Sequence, residues 1–224
     1  FRRIAAIGMI ALFSAPVVLL ARQSILLNGS LEFGAGPNSI DPHVPLGWTR
    51  FGPTVERSDE ANLVPPGAGH ALKAFSSDPQ VGAYQDLPVV AGQSVYISCS
   101  MYTRSSDKLS GDAQAGIVLE FYDAQGHLKA SHPVFAMNAN SPADQWIPTS
   151  VGPYAAPTGS TVTRFVCVWI WNGQATGSAY WDDCQLSING GANQLINGDF
   201  EIAGHGLQSP YGIDDWSGFN DQEK

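Results

Sequence analysis

The sequence predicts an all-β protein folded as a two-sheet β-sandwich. After residue 21, hydrophobic residues alternate with polar ones at a period of two, and the period of an amphipathic helix is nearly absent. The chain has 24 Gly and 15 Pro but only 14% charged residues, which is typical of short strands joined by tight turns. About nine or ten such strands are enough to form two packed sheets.

The predicted strands follow one another between turns rich in Pro and Gly. A long loop with Gly34, Gly36, Pro37 and Pro45 separates the first strand from the others. Gly126 ends a four-residue hairpin loop at the position where a positive φ is needed. The predicted strands are residues 25–31, 71–75, 84–89, 94–102, 116–122, 127–135, 146–151, 162–171 and 179–186.

The first 21 residues differ from the rest. Arg2 and Arg3 precede an apolar run, and Ala21 is a candidate cleavage site, an arrangement typical of a secretory signal peptide. The run is also about long enough to span a bilayer, so an uncleaved membrane anchor is the alternative. Either interpretation predicts a secreted or cell-surface protein, which contacts a membrane only through residues 1–21 and only if they are not cleaved.

A short motif occurs twice in the chain. Residues 26–32 read Leu-Leu-Asn-Gly-Ser-Leu-Glu and residues 195–201 read Leu-Ile-Asn-Gly-Asp-Phe-Glu, and each copy is followed by a loop and a Trp. A repeat at such a long spacing indicates whole domains in tandem. We therefore expect one module over residues 24–188 and the start of a second, similar module over residues 194–224, in a protein with further domains.

Charge and motifs exclude several functions. The formal net charge of −9 makes nucleic acid an unfavourable partner. The five His residues occur singly, and the motifs of serine hydrolases, zinc proteases and phosphate-binding loops are absent from the sequence. Glu120 and Asp123 could form a glycosidase pair. A single Glu on a sheet face more often hydrogen-bonds a sugar hydroxyl, so we do not expect this chain itself to be catalytic.

The three cysteines are Cys99, Cys167 and Cys184, and no Cys-x-x-Cys spacing indicates a zinc or redox site. Alternation places Cys99 and Cys184 on the core side of their strands. We therefore expect these two to lie closer to each other than to Cys167. The alternation alone does not show whether their strands are neighbours, so the sequence leaves open which cysteines form a disulfide.

Alternation also assigns faces to the other side chains. The sides assigned to the core carry Val95, Ile97, Cys99 and Met101; Ile117, Leu119 and Phe121; and Val166, Val168 and Ile170. The opposite sides carry Tyr96, Tyr102, Glu120, Tyr122, Trp169 and Trp171. Rings beside carboxylate and hydroxyl groups suit a sugar, whose C–H face packs on a ring while its hydroxyls take hydrogen bonds. We predict that these six residues bind carbohydrate, and we assign Trp48 and Trp146 to the core.

Seven short pieces of the chain occur in a recognisable order. They are Leu-Asn-Gly-x-x-Glu with Gly47-Trp48, then 69–73, 84–89, 92–96, 120–126, Trp146 and 179–186. In this order they resemble the galactose-binding-like jelly rolls, in particular the carbohydrate-binding modules of families four, nine, sixteen and twenty-two. The resemblance implies a jelly roll that binds a polysaccharide or glycan within an exported polysaccharide-degrading or cell-surface protein. The alternative is a structural or adhesion repeat of the same fold without sugar affinity.

The resemblance also implies a structural calcium ion between the first and last strands. It places the ligands at Glu32 and at Asp182 or Asp183, which supply the hard oxygen atoms that calcium prefers. Asp182 shares the parity of Cys184 and should point inward, where a carboxylate needs a partner or a metal ion. The alternative is that both Asp side chains lie in solvent at the end of a strand.

Overall fold

The computed structural model describes residues 41–58, 69–75, 79–201 and 203–204, all of which belong to the unit formed by residues 37–224. Several predictions fall on other residues: the apolar segment 1–21, the first copy of the repeat with its ligand Glu32, and the predicted second module beyond residue 204. None of the helical turns in the described ranges is long and apolar enough to cross a membrane.

The described residues form fourteen strands and one short 3₁₀ helix at Ser105–Asp107. The strands are β1 (Asp41–Pro45), β2 (Thr49–Phe51), β3 (Val55–Ser58), β4 (Ala71–Phe75), β5 (Gln80–Pro88), β6 (Ser94–Tyr102), β7 (Ser110–Gly111), β8 (Gln114–Tyr122), β9 (Leu128–Asn138), β10 (Ile147–Ala155), β11 (Val162–Ile170), β12 (Ala175–Thr176), β13 (Ser178–Ile188) and β14 (Ala203–Gly204).

Ten of these strands build two antiparallel sheets. The first sheet has the order β10-β6-β13-β4-β3, and the second has the order β2-β5-β11-β8-β9. Two pairs of short strands, β1 with β14 and β7 with β12, lie beside them. The predicted all-β, two-sheet sandwich is confirmed, because the apolar sides of both sheets meet in one core.

The core between the sheets contains large side chains that are almost completely buried, among them Trp48, Phe121, Phe165 and Trp181. β6 contributes Val95, Ile97, Cys99 and Met101, and β8 contributes Ile117, Leu119 and Phe121, as alternation predicts. Trp48 is a core residue, as expected. Trp146 is not part of this core: it packs on Tyr102 at the outer side of the first sheet.

The face assignment of β11 was wrong. Phe165, Cys167 and Trp169 point into the core, whereas Val166 and Val168 lie on the opposite side of the second sheet. β11 is the central strand of that sheet, between β5 and β8, and both of its sides are covered by apolar groups. A strand that is buried on both faces carries mostly apolar residues on both, so alternation does not show which of its sides faces the core.

A β-bulge in β13 interrupts the regular alternation of sides from which the position of Asp182 was predicted. The register between β13 and β6 shifts between Asp182 and Gln185, and Asp183 has a φ of 50°. Trp181 and Cys184 both point into the core although they are three residues apart. Asp182 is buried, as predicted, but it does not share the face of Cys184 by simple alternation.

The second copy of the repeat, residues 195–201, packs against the sandwich, and we call it the closing segment. Phe200 is fully buried and its ring centre lies 5.0 Å from that of Trp48. The Nε1–H of Trp48 donates a 3.1 Å hydrogen bond to the carbonyl of Asn197. The side chain of Gln85 donates to the carbonyl of Ile196 and accepts from its amide, at 3.0 and 2.8 Å.

Gly198 is required where the closing segment meets β13. The amide of Cys184 donates a 2.8 Å hydrogen bond to the carbonyl of Gly198. A Cβ atom on Gly198 would lie 2.1 Å from the carbonyl oxygen of Cys184, so a larger residue does not fit. The packed unit thus extends past residue 188, the boundary predicted from the repeat. The second module stays a prediction, because its other residues lie outside the described ones.

Candidate functional site

Four polar side chains stand in register across the outer face of the second sheet, the side away from the core. Arg164 on β11 is opposite Asp86 on β5 and Glu120 on β8, and Glu120 is opposite Ser131 on β9. We call these four residues the polar row. Directly opposed residues of antiparallel strands lie within side-chain reach of each other, so the pairing of the strands is what assembles this row.

The centre of the polar row is a fixed ion pair. The guanidinium of Arg164 donates two hydrogen bonds to the carboxylate of Asp86, from Nε at 2.7 Å and from a terminal nitrogen at 2.8 Å. Its carbon atom also lies 3.8 Å from the ring centre of Tyr84 and 4.8 Å from that of Tyr122. A bidentate pair with a ring on either side holds the planar guanidinium in one orientation.

Burial opposes the charge on Arg164, but its pKa is raised because Asp86 supplies hydrogen bonds and an opposite charge. Only 4% of the Arg164 side chain is exposed, compared with 25% of Asp86. Arg164 is therefore charged over the whole accessible pH range, and the exposed side of the pair is the carboxylate of Asp86.

Glu120 has spare capacity to accept hydrogen bonds. The hydroxyl of Tyr122 donates to its Oε2 at 2.7 Å, whereas the hydroxyl of Ser131 is 3.5 Å from its Oε1, at the limit of a hydrogen bond. The residue is 1% exposed. Burial raises the pKa of Glu120 although Tyr122 and Arg164 oppose the rise, and the pKa of Tyr122 is raised by burial and by the nearby Glu120. A buried carboxylate with one good donor is a group that a ligand hydroxyl can satisfy.

Apolar groups complete the same face. Tyr84, Val118, Val166 and Val168 form a buried cluster, against which the partly exposed side chains of Phe51, Phe135 and Ile170 pack. Gly82 makes room for one ring: a Cβ atom there would lie 2.5 Å from the Cζ of Phe51. The face therefore combines ring and aliphatic surface with a row of fixed polar groups.

The structure separates the six residues predicted to bind carbohydrate. Glu120 and Tyr122 lie on this face, as expected. Tyr96 and Tyr102 lie on β6 of the other sheet, where Tyr102 packs with Tyr180. Trp169 is fully buried in the core, and Trp171 packs against the core from its edge. Both Trp side chains point away from the outer face, because the side of β11 that faces the core is opposite to the predicted one.

Three residues of the polar row were missed by sequence reasoning: Asp86, Arg164 and Ser131. For Tyr84, the sequence left open whether the ring belongs to the core or contacts a ligand. A signal was present, since Asp86 and Arg164 are charged residues inside strands that are otherwise mostly apolar. Ionised side chains in such strands need a partner of opposite charge. Asp123, considered with Glu120 as a catalytic pair, instead accepts the amides of Gln125 and His127 in its hairpin turn.

The predicted calcium ligand Asp182 is fully buried, and its Oδ2 has no hydrogen-bond partner. Its Oδ1 accepts the amide of Asp183 at 2.7 Å. Burial raises the pKa of Asp182 to about 7, and the charges of Asp183, Glu201 and Asp199 add to the rise. A buried carboxylate oxygen without a partner is compatible with a bound cation.

The remaining donors near Asp182 do not complete a calcium site. Glu201, which occupies the repeat position of Glu32, accepts the amides of Gly69 and His70 at 2.5 and 2.9 Å and lies 3.0 Å from the His70 ring nitrogen. Across the ranges that the structure describes, no group of three His, Cys, Asp or Glu residues is placed to hold a metal ion. The Oδ2 atom of Asp182 is thus a free acceptor for a cation, but the described residues place no second and third side-chain ligand beside it.

Among known proteins, only solved structures match this chain. No protein-family model matches the chain, and no curated protein matches it. The catalytic domain of a tailspike protein from bacteriophage CBA120 overlaps with a TM-score of 0.47 at 12% identity, over 63% of this chain and 19% of that one. The chain thus spans about a fifth of the length of this tailspike domain.

Two of the other solved structures are carbohydrate-binding modules that are matched over nearly their full length. A family 61 module in complex with β-1,4-galactotriose has a TM-score of 0.44 at 15% identity, over 65% of this chain and 94% of that one. A family 22 xylan-binding domain from Paenibacillus barcinonensis has a TM-score of 0.45 at 18% identity, over 69% of this chain and 93% of that one. The solved structures matched by this chain thus include modules of family 22, one of the families that its sequence resembles.

Proposed function

We propose that this protein binds a β-linked polysaccharide, without cleaving it, on the outer face of its second sheet. The observation that carries the proposal is the polar row, which crosses four neighbouring strands between the rings of Tyr84 and Tyr122. A ribbon-like sugar chain needs fixed hydrogen-bonding groups at intervals and ring surface beside them.

Each part of the face has a separate role in this proposal. The exposed side of Asp86 and the weakly bonded Oε1 of Glu120 accept hydrogen bonds from sugar hydroxyls. The ring of Tyr122 packs on the C–H face of a sugar. Arg164 acts as a positioning residue, since it holds Asp86 and spaces the two Tyr rings. Because these groups hold one another in place before binding, little side-chain entropy is lost when a ligand arrives.

The biological context is also a proposal. The apolar segment 1–21 and the repeated motif support an exported protein with further domains, in which this module brings a polysaccharide to its neighbours. We propose in addition that calcium binds beside Asp182, with Glu32 and Asp183 as the other predicted ligands. In that position a cation would compensate the buried carboxylate and stabilise the fold.

One observation favours the alternative, a structural or adhesion repeat without sugar affinity. Arg164 and Glu120 are 3% and 1% exposed, and each is hydrogen-bonded to a neighbour on the same face. A polar network that is satisfied internally can serve the stability and specificity of the fold alone. The two functions differ in a single measurable property, the retention of the protein by a glycan.

Affinity electrophoresis of the full chain in gels containing xylan, β-glucan or alginate tests the proposal. We expect retardation by at least one β-linked glycan, and Tyr122→Ala should weaken the binding at least tenfold, which is about 1.4 kcal/mol. Glu120→Gln should weaken it less, because the amide oxygen still accepts a hydrogen bond.

Tyr96→Ala is the matched control, since Tyr96 is 37% exposed but lies on the other sheet. It should leave the binding unchanged. If Tyr96→Ala abolishes binding while Tyr122→Ala does not, the site lies on the first sheet. If no glycan retards the wild-type protein, the structural alternative replaces the binding function.

A further inference from the structure

Three buried thiols converge in the core between the two sheets. Cys99 on β6 and Cys184 on β13 belong to the first sheet, and Cys167 on β11 belongs to the second. Each residue is at most 4% exposed. The sulfur atoms of Cys167 and Cys184 are 3.9 Å apart, which is van der Waals contact across the core, and Cys99 is close enough to Cys184 for each thiol to affect the pKa of the other.

Two features of the strands produce this arrangement. The side of β11 that carries Phe165 and Trp169 faces the core, so Cys167 points towards the opposite sheet. The bulge at Asp183 turns Cys184 inward to meet it. The two cysteines are thus brought together by the topology of the sandwich, from strands that belong to different sheets.

We propose that Cys167 and Cys184 form a disulfide that joins the two sheets when the chain folds in the presence of a small-molecule disulfide. In the first exchange, the thiolate of one cysteine attacks the reagent, forms a mixed disulfide and releases one reagent thiol. In the second, the other cysteine thiolate attacks the protein sulfur of the mixed disulfide, which forms the Cys167–Cys184 bond and releases the second reagent thiol. The two cysteines lose two electrons and two protons in total, and the reagent gains them.

The choice of Cys167 rather than Cys99 as the partner of Cys184 has two grounds. The first ground is that the sulfur atoms of Cys167 and Cys184 are already in contact. Their distance must shorten from 3.9 Å to about 2.05 Å for a bond, and the side chains can make this movement before the core is fully packed. The two cysteines are 17 residues apart, whereas Cys99 and Cys184 are 85 residues apart, as 184 − 99 = 85. A short loop closes more readily than a long one.

The reaction belongs to folding and not to the finished protein. Burial raises the pKa of all three thiols, to about 11 for Cys167, and a thiol that remains protonated does not attack a disulfide. In the unfolded chain the same thiols are exposed and ionise near their ordinary pKa of about 8.5. Cys99 therefore remains as a buried free thiol once the core has closed.

Oxidative refolding of the full chain tests the proposal. Denatured, reduced protein is refolded with a mixture of reduced and oxidised glutathione, free thiols are blocked in denaturant, and the peptides are mapped without reduction. We expect a Cys167–Cys184 peptide and a blocked Cys99. The oxidised protein should melt at a higher temperature than the same protein refolded with reductant, and Cys99→Ser should give the same linked peptide and the same rise.

Two results would overturn the proposal. One is a Cys99–Cys184 or Cys99–Cys167 peptide as the main product. The other is refolded protein in which all three thiols are blocked, although the wild-type chain has regained its far-UV and near-UV spectra. Neither result depends on a cysteine variant that could fail to fold.

Discussion

The guanidinium carbon of Arg164 lies 3.8 Å from the ring centre of Tyr84 while its nitrogen atoms bind the carboxylate of Asp86. One side chain therefore links a stacking surface to an acceptor on the neighbouring strand. Removal of Asp86 would leave the buried guanidinium without its hydrogen-bonded carboxylate, although the stacking on Tyr84 would remain. The stability of the second sheet and the shape of its outer face thus depend on the same contact.

Asp86→Ala should lower the free energy of unfolding by about 2–3 kcal/mol, because an unpaired buried charge is costly. Chemical denaturation of the two proteins measures the difference. Glu56→Ala is the control: it removes a 3.5 Å contact to Lys73 with more exposed partners, and should cost less than about 1 kcal/mol. Equal losses in both variants would contradict the central role of the Arg164–Asp86 pair.

Trp169→Ala should destabilise the protein by about 3–5 kcal/mol, since a fully buried ring leaves a cavity in the core. Trp171→Ala should cost less, because Trp171 is only partly buried. Thermal melts compare the three proteins. A Trp169→Ala protein that melts like the wild type but no longer binds glycan would return Trp169 to the sugar site.

The buried Asp182 should make the metal-free protein less stable as the pH rises. Its pKa is raised to about 7 in the fold from about 3.8 in the unfolded chain, so the native state binds the proton more tightly. The stability that this proton gives is complete below about pH 3.8 and is lost as the pH rises through 7. Melting temperatures between pH 4 and 8 in the presence of a chelator should therefore fall faster for the wild type than for Asp182→Asn.

Calcium should reverse this effect. A cation binds the carboxylate and not the acid, so added calcium should raise the melting temperature of the wild type at pH 8 and leave it unchanged at pH 4. A hundredfold excess over the dissociation constant adds about 2.7 kcal/mol. Asp182→Asn should lose the response, and identical melts of the wild type with chelator and with calcium at pH 8 would rule out the calcium site.

The closing segment should be protected from proteases as part of the sandwich. Limited proteolysis should produce no early cut between residues 195 and 201, because Phe200 is buried and Ile196 is hydrogen-bonded to Gln85. Phe200→Ala should expose this stretch and lower stability by about 3–5 kcal/mol. An early cut there in the wild-type protein, with the remainder still folded, would restore the boundary at residue 188.

The sequence predicted the sheets more accurately than the side-chain faces. β6 has its predicted bounds and its predicted core side, because polar residues mark the other side of that strand. Apart from Arg164, β11 has no polar side of this kind: its core side carries Phe165, Cys167 and Trp169, and its outer side carries Val166 and Val168. Which side faces the core therefore depends on the neighbours that cover each side. Trp169 and Trp171 were misplaced for that reason.

The candidate site was only half predictable. Glu120 and Tyr122 lie opposite a clear apolar alternation and were assigned to the correct face. Asp86 and Arg164 are 78 residues apart, and only the pairing of β5 with β11 shows that they meet. Alternation along the sequence likewise did not predict the bulge at Asp183. Because of this bulge, Asp182 and Cys184 are not on the same side of β13 although they are two residues apart.

The closing segment also sets the order in which the core can be completed as the chain is synthesised. β13 ends at Ile188, but the ring that packs on Trp48 belongs to Phe200. A ribosome that has released every long strand of the sandwich has not yet released that ring or the carbonyl that binds Trp48 Nε1. During that interval the nascent chain has both sheets but an unfilled core. Its exposed apolar surface is then a target for chaperones, until residues 195–201 emerge and cover it.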